Sequence, residues 1–250
     1  MNPSLWVSKT GLAAQERQMA IISNNLANVN TVGFYHIQRQ PGALNDEDNT
    51  VPSGLQMGTG VKMTGTQKVF TPGNYDTTNQ ALDMAIIGNG FFQLLQPDGT
   101  PVYSRNGQFQ INAEGDIVNG NGLPLEPGIT IPADATNISI SDDGIVMVKQ
   151  PGIIEPVEVG QITLVNFVNP AGLQAMGSNL FQQTVASGDP IEAQPGIEGL
   201  GSLEQFTLET SNVSTVEELV KMISVQRAYE MNSKVIAAAD QMMQFVNQTL

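Results

Sequence analysis

The chain has 250 residues, enough for one large domain or two smaller ones that each bury a core. It contains no cysteine and a single histidine, His36, which excludes a disulfide framework, a thiolate metal site and a histidine-cluster site. The net charge of −14 lies in the middle: residues 1–34 sum to +1, residues 213–250 to −1, and the 178 between them to −14. That distribution leaves no basic face for nucleic acid or for an anionic membrane.

The first 34 residues are expected to form a helix, because the first 32 contain one glycine and one proline. Apolar side chains recur every seven residues, with Ile22 and Val29 on the adjoining seam, and the repeat consists of Leu5, Leu12, Met19 and Leu26. A seven-residue apolar repeat is typical of a helix that packs along a partner helix with slight supercoiling.

Residues 73–211 are predicted to form a β domain, preceded by an extended contact segment over residues 35–72. Glycine, proline, asparagine and aspartate divide the middle of the chain into short apolar runs such as 85–87, 91–95, 138–140, 145–148 and 161–165. Spacing of roughly ten residues between such runs indicates an antiparallel fold. Asp142 and Asp143 are interpreted as a tight turn between two of these strands, and not as a metal-binding pair.

A second helix is predicted over residues 212–250, because neither glycine nor proline follows Gly201. Its repeat consists of Met222, Tyr229, Ile236, Met243 and Leu250, with Val225, Ala239 and Val246 on the second seam position. Ser214 or Thr215 can cap the helix, with Glu217 and Glu218 in its first turn. The expected fold class is therefore α+β, with terminal helices in a coiled-coil domain and a central antiparallel β domain.

The stripes allow two interpretations. Either the two helices pack on their own β domain, or they associate with each other and with copies from other subunits. The pattern alone favours neither.

Signatures at both ends resemble those of the flagellar rod, hook and hook-associated family. The N-terminal one is SNNLANVNTVGF at residues 23–34, and the C-terminal one comprises ETSNV at 209–213, EELVKMI at 217–223 and QRAYEMNSK at 226–234. Within the family the chain is most similar to the distal rod subunits, through RQPG at 39–42 and PSGLQMGTGV at 52–61. The segment after Phe34 is shorter than the family pattern, because only four residues separate Phe34 from Arg39.

The resemblance implies a structural role. Both helices would line a narrow export channel, and many copies would form a helical tube that carries torque to the hook. Implied partners are other copies of the chain, proximal rod proteins, the hook protein, the surrounding ring proteins and the flagellar type III export apparatus. Neither nucleic-acid binding nor membrane insertion is expected. The expected location is the flagellar basal body across the periplasm, reached without a cleaved signal peptide, and no cofactor or metal is expected.

The resemblance also marks the residues expected to mediate self-assembly. In the first helix they are Leu5, Leu12, Met19, Ile22, Asn24, Asn25, Leu26 and Asn28. In the second helix they are Met222, Gln226, Arg227, Tyr229, Asn232, Ile236 and Met243. In the contact segment they are Arg39, Pro41, Gly42, Pro52, Gly54 and Leu55.

Other functions remain as alternatives. A proximal rod subunit would share both signatures, and a secreted β-domain binding module would need the helices only as caps. Enzyme signals are weak: the short glycine motifs at 58–60 and 88–90 lack the strand and helix context of a phosphate loop, and no acid/base pair for polysaccharide chemistry is evident.

Overall fold

A computed structural model describes residues 3–45, 58–153 and 155–249, and it divides the chain into two compact units. The helical unit comprises residues 1–28, 36–69 and 213–250, and the β-rich unit comprises residues 29–35 and 70–212. The order of elements confirms the α+β class, with a helix at each end and antiparallel strands between them. The coiled-coil packing of the helices stays a prediction.

The described residues of the helical unit form two helices and one hairpin. Helix α1 spans Pro3–Ala27 and helix α2 spans Thr215–Thr249, while strands β1 (Ile37–Asn45) and β2 (Gly58–Lys68) pair antiparallel. Their register shifts after Gln40, where Pro41 follows. A proline has no N–H to donate to the ladder, so a bulge is the position in a hairpin where it is tolerated.

Helix α2 begins as the sequence predicts. The backbone N–H of Glu217 points to the Ser214 hydroxyl at 3.5 Å, and that of Glu218 donates to the Ser214 carbonyl at 3.0 Å. Ser214 therefore caps the helix, and two carboxylates lie in its first turn, near the positive end of the helix dipole.

The described residues of the β-rich unit form fifteen short strands and one 3₁₀ turn at Pro170–Gly172. The strands are β3 (Tyr75–Thr77), β4 (Met84–Ile87), β5 (Phe91–Leu95), β6 (Pro101–Ser104), β7 (Phe109–Ile111), β8 (Ile117–Asn119), β9 (Asn137–Ile140), β10 (Ile145–Lys149), β11 (Val157–Gln161), β12 (Leu164–Asn166), β13 (Gln174–Gly177), β14 (Leu180–Gln182), β15 (Ile191–Ala193), β16 (Ser202–Gln205) and β17 (Thr207–Glu209). The largest sheet has six strands in the order β13-β14-β6-β5-β12-β15, and β11-β10-β9 form another.

Two sequence predictions can be checked in these strands. The tight turn at Asp142 and Asp143 is confirmed, because β9 and β10 pair antiparallel on either side of it and Gly144 supplies a φ of 82°. The single run over residues 161–165 is divided: β11 ends at Gln161 and β12 begins at Leu164. Between them the buried Ile162 donates its N–H to the Gly144 carbonyl at 2.8 Å and so leaves the ladder.

Two clusters form the core of the β-rich unit. The larger is aliphatic, with Leu94, Val102, Val146, Ile162 and Leu164 all fully buried. The smaller is aromatic and contains Tyr35, Phe91, Tyr103, Phe167 and Phe181, with Phe70 packed against it. The Tyr35 and Phe70 ring centroids are 4.7 Å apart. The two ends of the 36–69 insertion are thus held by one aromatic cluster, in which burial raises the pKa of the Tyr35 phenol.

Candidate assembly site

The two helices lie antiparallel in a single register. A Cβ at Gly11 would meet the Asn232 side-chain nitrogen at 3.1 Å, and Asn25 bonds Glu218. From Gly11 to Asn25 the chain advances by fourteen residues, and from Asn232 to Glu218 it retreats by fourteen. Extending this register places Pro3 level with Asp240, so residues 241–249 run past the start of α1 by about 13 Å.

The predicted stripes lie partly along this helix pair. In α1, Ile22 is buried, and Leu5, Leu12, Met19 and Leu26 are half-buried. In α2, Met222, Asn232 and Ile236 are half-buried, with Val225 and Ala239 buried beside them. Tyr229 and Met243 retain exposed fractions of 39% and 36%. The pairing within one chain therefore covers each stripe incompletely.

A second apolar stripe runs along α2 and was missed in the sequence analysis. Its members are exposed and recur at spacings of three, four, seven or eight residues, and they are Val216, Val220, Ile223, Met231, Val235 and Met242. At about 100° per residue this stripe is centred roughly 150° around the helix from the seam formed by Val225 and Ile236. The heptad repeat predicted a single apolar stripe on α2, whereas the helix carries apolar residues on two nearly opposite faces.

A buried carboxylate joins α1, α2 and the start of β1. Glu218, 2% exposed, accepts hydrogen bonds from the Lys221 ammonium at 2.7 Å and from the Asn25 amide nitrogen at 3.3 Å. The His36 Nε2 lies 3.3 Å from the same carboxylate. Asn25 also exchanges two 3.0 Å hydrogen bonds with the backbone of Ile37, as donor to its carbonyl and as acceptor from its N–H.

These contacts set the charge state of Glu218. Burial by itself raises the pKa of the Glu218 carboxyl group. The hydrogen bonds from Lys221 and Asn25, together with the charges of Lys221 and His36, lower the pKa by more than burial raises it, so the pKa lies below its ordinary value. A buried, ionised and fully bonded carboxylate fixes the geometry of the groups around it, because any shift leaves a charge without partners. His36, the single histidine of the chain, precedes β1 directly and takes part in this cluster.

The remaining polar residues of the predicted site lie elsewhere. Asn24 is exposed and accepts, through its backbone carbonyl, a 2.8 Å hydrogen bond from the Asn28 amide. Gln226 and Arg227 are exposed on α2, and Arg227 forms no ion pair with any side chain that the structure describes. These side chains are therefore directed away from the helix seam.

The contact segment begins as strand β1. Arg39, Pro41 and Gly42 lie on this strand, whereas Pro52, Gly54 and Leu55 lie outside the described residues. The other strand of the hairpin approaches α1 closely. Gly60 has a φ of 123°, a Cβ there would overlap the Thr10 hydroxyl, and that hydroxyl accepts a 3.4 Å hydrogen bond from the next backbone N–H. Only glycine fits this crossing.

The β-rich unit has a polar cluster of its own. The buried Arg105 guanidinium pairs with Glu209 at 2.5 Å and donates to three backbone carbonyls, those of Ile86, Gly88 and Gly90. The other end of Glu209 accepts, through its backbone carbonyl, the N–H of Gly33 at 3.0 Å. The GNG motif at residues 88–90 is therefore a carbonyl cradle for an arginine and not a phosphate loop.

Residues of the two terminal signatures contact each other in both units. Asn25 of the first meets Glu218 of the second in the helical unit, and Gly33 of the first meets Glu209 of the second in the β-rich unit. Each signature thus contributes one residue to the contact in the helical unit and one residue to the contact in the β-rich unit. Within the described residues no group of acidic or histidine side chains is arranged to hold a metal ion, and no helix there has the length and apolarity to cross a membrane.

Three family models match the chain. "Flagella basal body rod protein" matches residues 5–34, "Flagellar hook protein FlgE/F/G D1 domain" residues 85–148, and "Flagellar basal body rod FlgEFG protein C-terminal" residues 204–249. The first and last coincide with the two signatures and contain Asn25 and Glu218.

Full-length relatives carry the name flagellar basal-body rod protein FlgG. One from Buchnera aphidicola subsp. Acyrthosiphon pisum is 49% identical over 99% of this chain and 100% of its own length. One from Borreliella burgdorferi is 43% identical, with 99% and 98% covered, and one from Bacillus subtilis is 35% identical, with 96% of each covered. The chain therefore belongs to the flagellar basal-body rod protein family, as a structural subunit of the distal rod and not an enzyme.

Proposed function

We propose that the chain polymerises through its two helices into a helical tube that transmits torque to the hook and encloses the export channel. The observation that carries this proposal is the exposed stripe on α2. Val216 is 72% exposed, Val220 and Met231 are 61% exposed, and Met242 is 65% exposed. Apolar side chains spaced along about seven helical turns are stabilised once another helix covers them, at about 25 cal/mol for each Å² removed from water.

The stripe lies on the opposite side of α2 from the seam with α1. Each copy can therefore keep its own helix pair and still present apolar surface to a neighbour. Contacts of this kind join unlike surfaces, and such contacts continue into an open helix when the rotation between copies does not close a ring. The stiffness needed to carry torque would then come from packing repeated at every subunit.

The partners of such a tube follow from its place in the flagellum. Proximal rod proteins would lie at one end, the hook protein at the other and ring proteins around it, after transport by the type III export apparatus and without cleavage of a signal peptide. The tube would cross the periplasm as part of the basal body. These assignments rest on membership of the rod family and on the helix surfaces described above.

The experiment is an assembly assay on the purified full chain with Ile223→Asp. Ile223 is 50% exposed, so the change should leave the folded subunit intact but place a charge in the proposed apolar interface. We expect wild-type protein to form rods or protofilaments on concentration, by negative-stain imaging and sedimentation, and the variant to stay monomeric.

Gln244→Asp is the matched control, because Gln244 is exposed on α2 about 120° from the centre of the stripe. It should assemble nearly as the wild type does. A wild-type protein that stays monodisperse at every concentration, or an Ile223→Asp variant that assembles normally, would contradict the proposal.

A further inference from the structure

A cleft of about 280 Å³ opens beside the Glu218 cluster within the helical unit. One wall is the α1 face with Ile21 and Ile22, another is the start of β1, and the third is the first turns of α2. Three basic side chains line this cleft, His36, Arg39 and Lys221, against the single carboxylate of Glu218. Glu218 is already bonded to Lys221 and Asn25, so it offers little neutralisation to the rest of the cleft.

Arg39 supplies hydrogen-bond donors in the cleft that are not bonded to Glu218. Its guanidinium carries five N–H groups, and no side chain among the described residues forms an ion pair with it. The Lys221 ammonium has three N–H groups, of which one reaches Glu218 at 2.7 Å, while Glu217 lies at 3.9 Å. Two cations with unused donors, above apolar walls, suit a carboxylate on a short methylene stem.

The charge distribution of the chain indicates where such a carboxylate comes from. The β-rich unit holds sixteen acidic residues and two basic ones, a net charge of −14, whereas the helical unit holds eight of each and is neutral. One copy therefore presents many carboxylates, and the cleft presents cations. We propose that this cleft binds an acidic side chain from the β-rich unit of a second copy, and so fixes neighbouring subunits in register. The inference rests on the proposed function, since it requires that copies assemble.

The first test compares the assembly of Arg39→Gln with that of wild type. We expect the critical concentration for assembly to rise roughly tenfold, the order expected for a lost hydrogen bond between charged groups. The urea unfolding midpoint of the monomer should stay unchanged, because Arg39 has no ionic partner among the described side chains of its own copy. Arg39→Lys should recover most of the effect, and Lys62→Gln, an exposed lysine of the same hairpin outside the cleft, should have none.

The second test identifies the occupant. Assembled and monomeric samples, mixed from ¹⁴N and ¹⁵N protein, are treated with a water-soluble carbodiimide, which joins an amine to a carboxylate in direct contact. We expect mass spectrometry to find Lys221 joined to an acidic residue between 70 and 212 of a differently labelled copy, in the assembled sample alone. Lys62 should give no such product.

Two outcomes overturn the proposal while leaving polymerisation in place. One is wild-type assembly in which Arg39→Gln has an unchanged critical concentration. The other is a Lys221 crosslink that reaches only Glu217 or Glu218 of its own copy. Wild-type protein that never assembles would overturn both this inference and the proposed function, so the two failures are distinguishable.

Discussion

The β-rich unit has a large buried apolar core, whereas the described part of the helical unit buries only a few of its apolar side chains. The core of the first includes Leu94, Val146 and Leu164, each completely buried. In the described part of the second, the buried apolar side chains are Ala14, Ile22, Val213, Val225 and Ala239. A region with its own core can fold alone, but one with exposed apolar stripes gains its remaining stability from a partner. The four predictions below test this difference.

The largest effect is expected from Ile236→Asp, at the half-buried centre of the first α2 stripe. A charge there is desolvated in every subunit, so assembly should be lost completely while the β-rich unit still folds. A non-motile cell that still makes the protein is the expected phenotype, and circular dichroism of purified protein should retain the β signal. Ser233→Asp, on the exposed side of α2, should be milder. Normal motility with Ile236→Asp would show that assembly does not depend on an apolar seam at this position.

Arg105→Leu should be the most damaging change within the β-rich unit. It would leave the Glu209 carboxylate buried without its partner and three carbonyls without their donor, at a cost of about 3–5 kcal/mol. The measurement is the unfolding transition of the β signal in urea. Lys149→Leu is the control, because Lys149 is the other basic residue of this unit and is exposed. Equal unfolding midpoints for the two variants would be incompatible with a structural role for the arginine.

Glu218→Gln should have a smaller effect, confined to the helical unit and dependent on pH. The folded pKa of Glu218 lies below its ordinary value of 4.5, so the carboxylate stabilises the folded state above that pH. This contribution is lost as the pH falls from 4.5 through the lowered value. At neutral pH the variant should lose about 1–3 kcal/mol of helical-unit stability.

The measurement for Glu218→Gln is the helical signal in urea at a series of pH values. The curve for the variant should be flatter than that of wild type below pH 4.5. Parallel curves for the two proteins would show that Glu218 is not the group responsible.

Gly11→Ala should have the smallest effect. The alanine would gain about 1 kcal/mol of helix propensity, and its Cβ would meet the end of the flexible Asn232 side chain at 3.1 Å. A net change within about 1 kcal/mol in helical unfolding is therefore expected. A loss of unfolding free energy well beyond about 1 kcal/mol would mean that the Asn232 side chain cannot move away from the added methyl group. Close contact between Gly11 and Asn232 would then be required for the register of the two helices.

Much of this organisation was predictable from local pattern. Helices free of glycine and proline, a β region divided by turn residues and the cap at Ser214 all depend on neighbours within a few positions in the chain. The family resemblance and the rod function followed from two local signatures. These features needed no knowledge of long-range contacts.

The clusters at Glu218 and Arg105 could not be predicted in this way. Glu218 lies 193 positions from its partner Asn25, and Arg105 lies 104 from Glu209. A glutamate in the first turn of a helix is ordinarily exposed near the positive end of the dipole, so the position of Glu218 in the sequence did not indicate that it is buried. The signal that could have located it was the pair of signatures itself, because two uncommon polar motifs at opposite ends suggest side chains that meet.

The antiparallel pairing of the first and last helices also sets an order in time. When a chain leaves the ribosome or an export channel with its N-terminus first, α1 emerges long before residues 215–249 are available to pair with it. The last residue of the β-rich unit, Asn212, precedes α2 entirely, so the β core can close first. The surfaces proposed for polymerisation are therefore completed last, and a half-emerged subunit has no finished helix pair with which to join a neighbour.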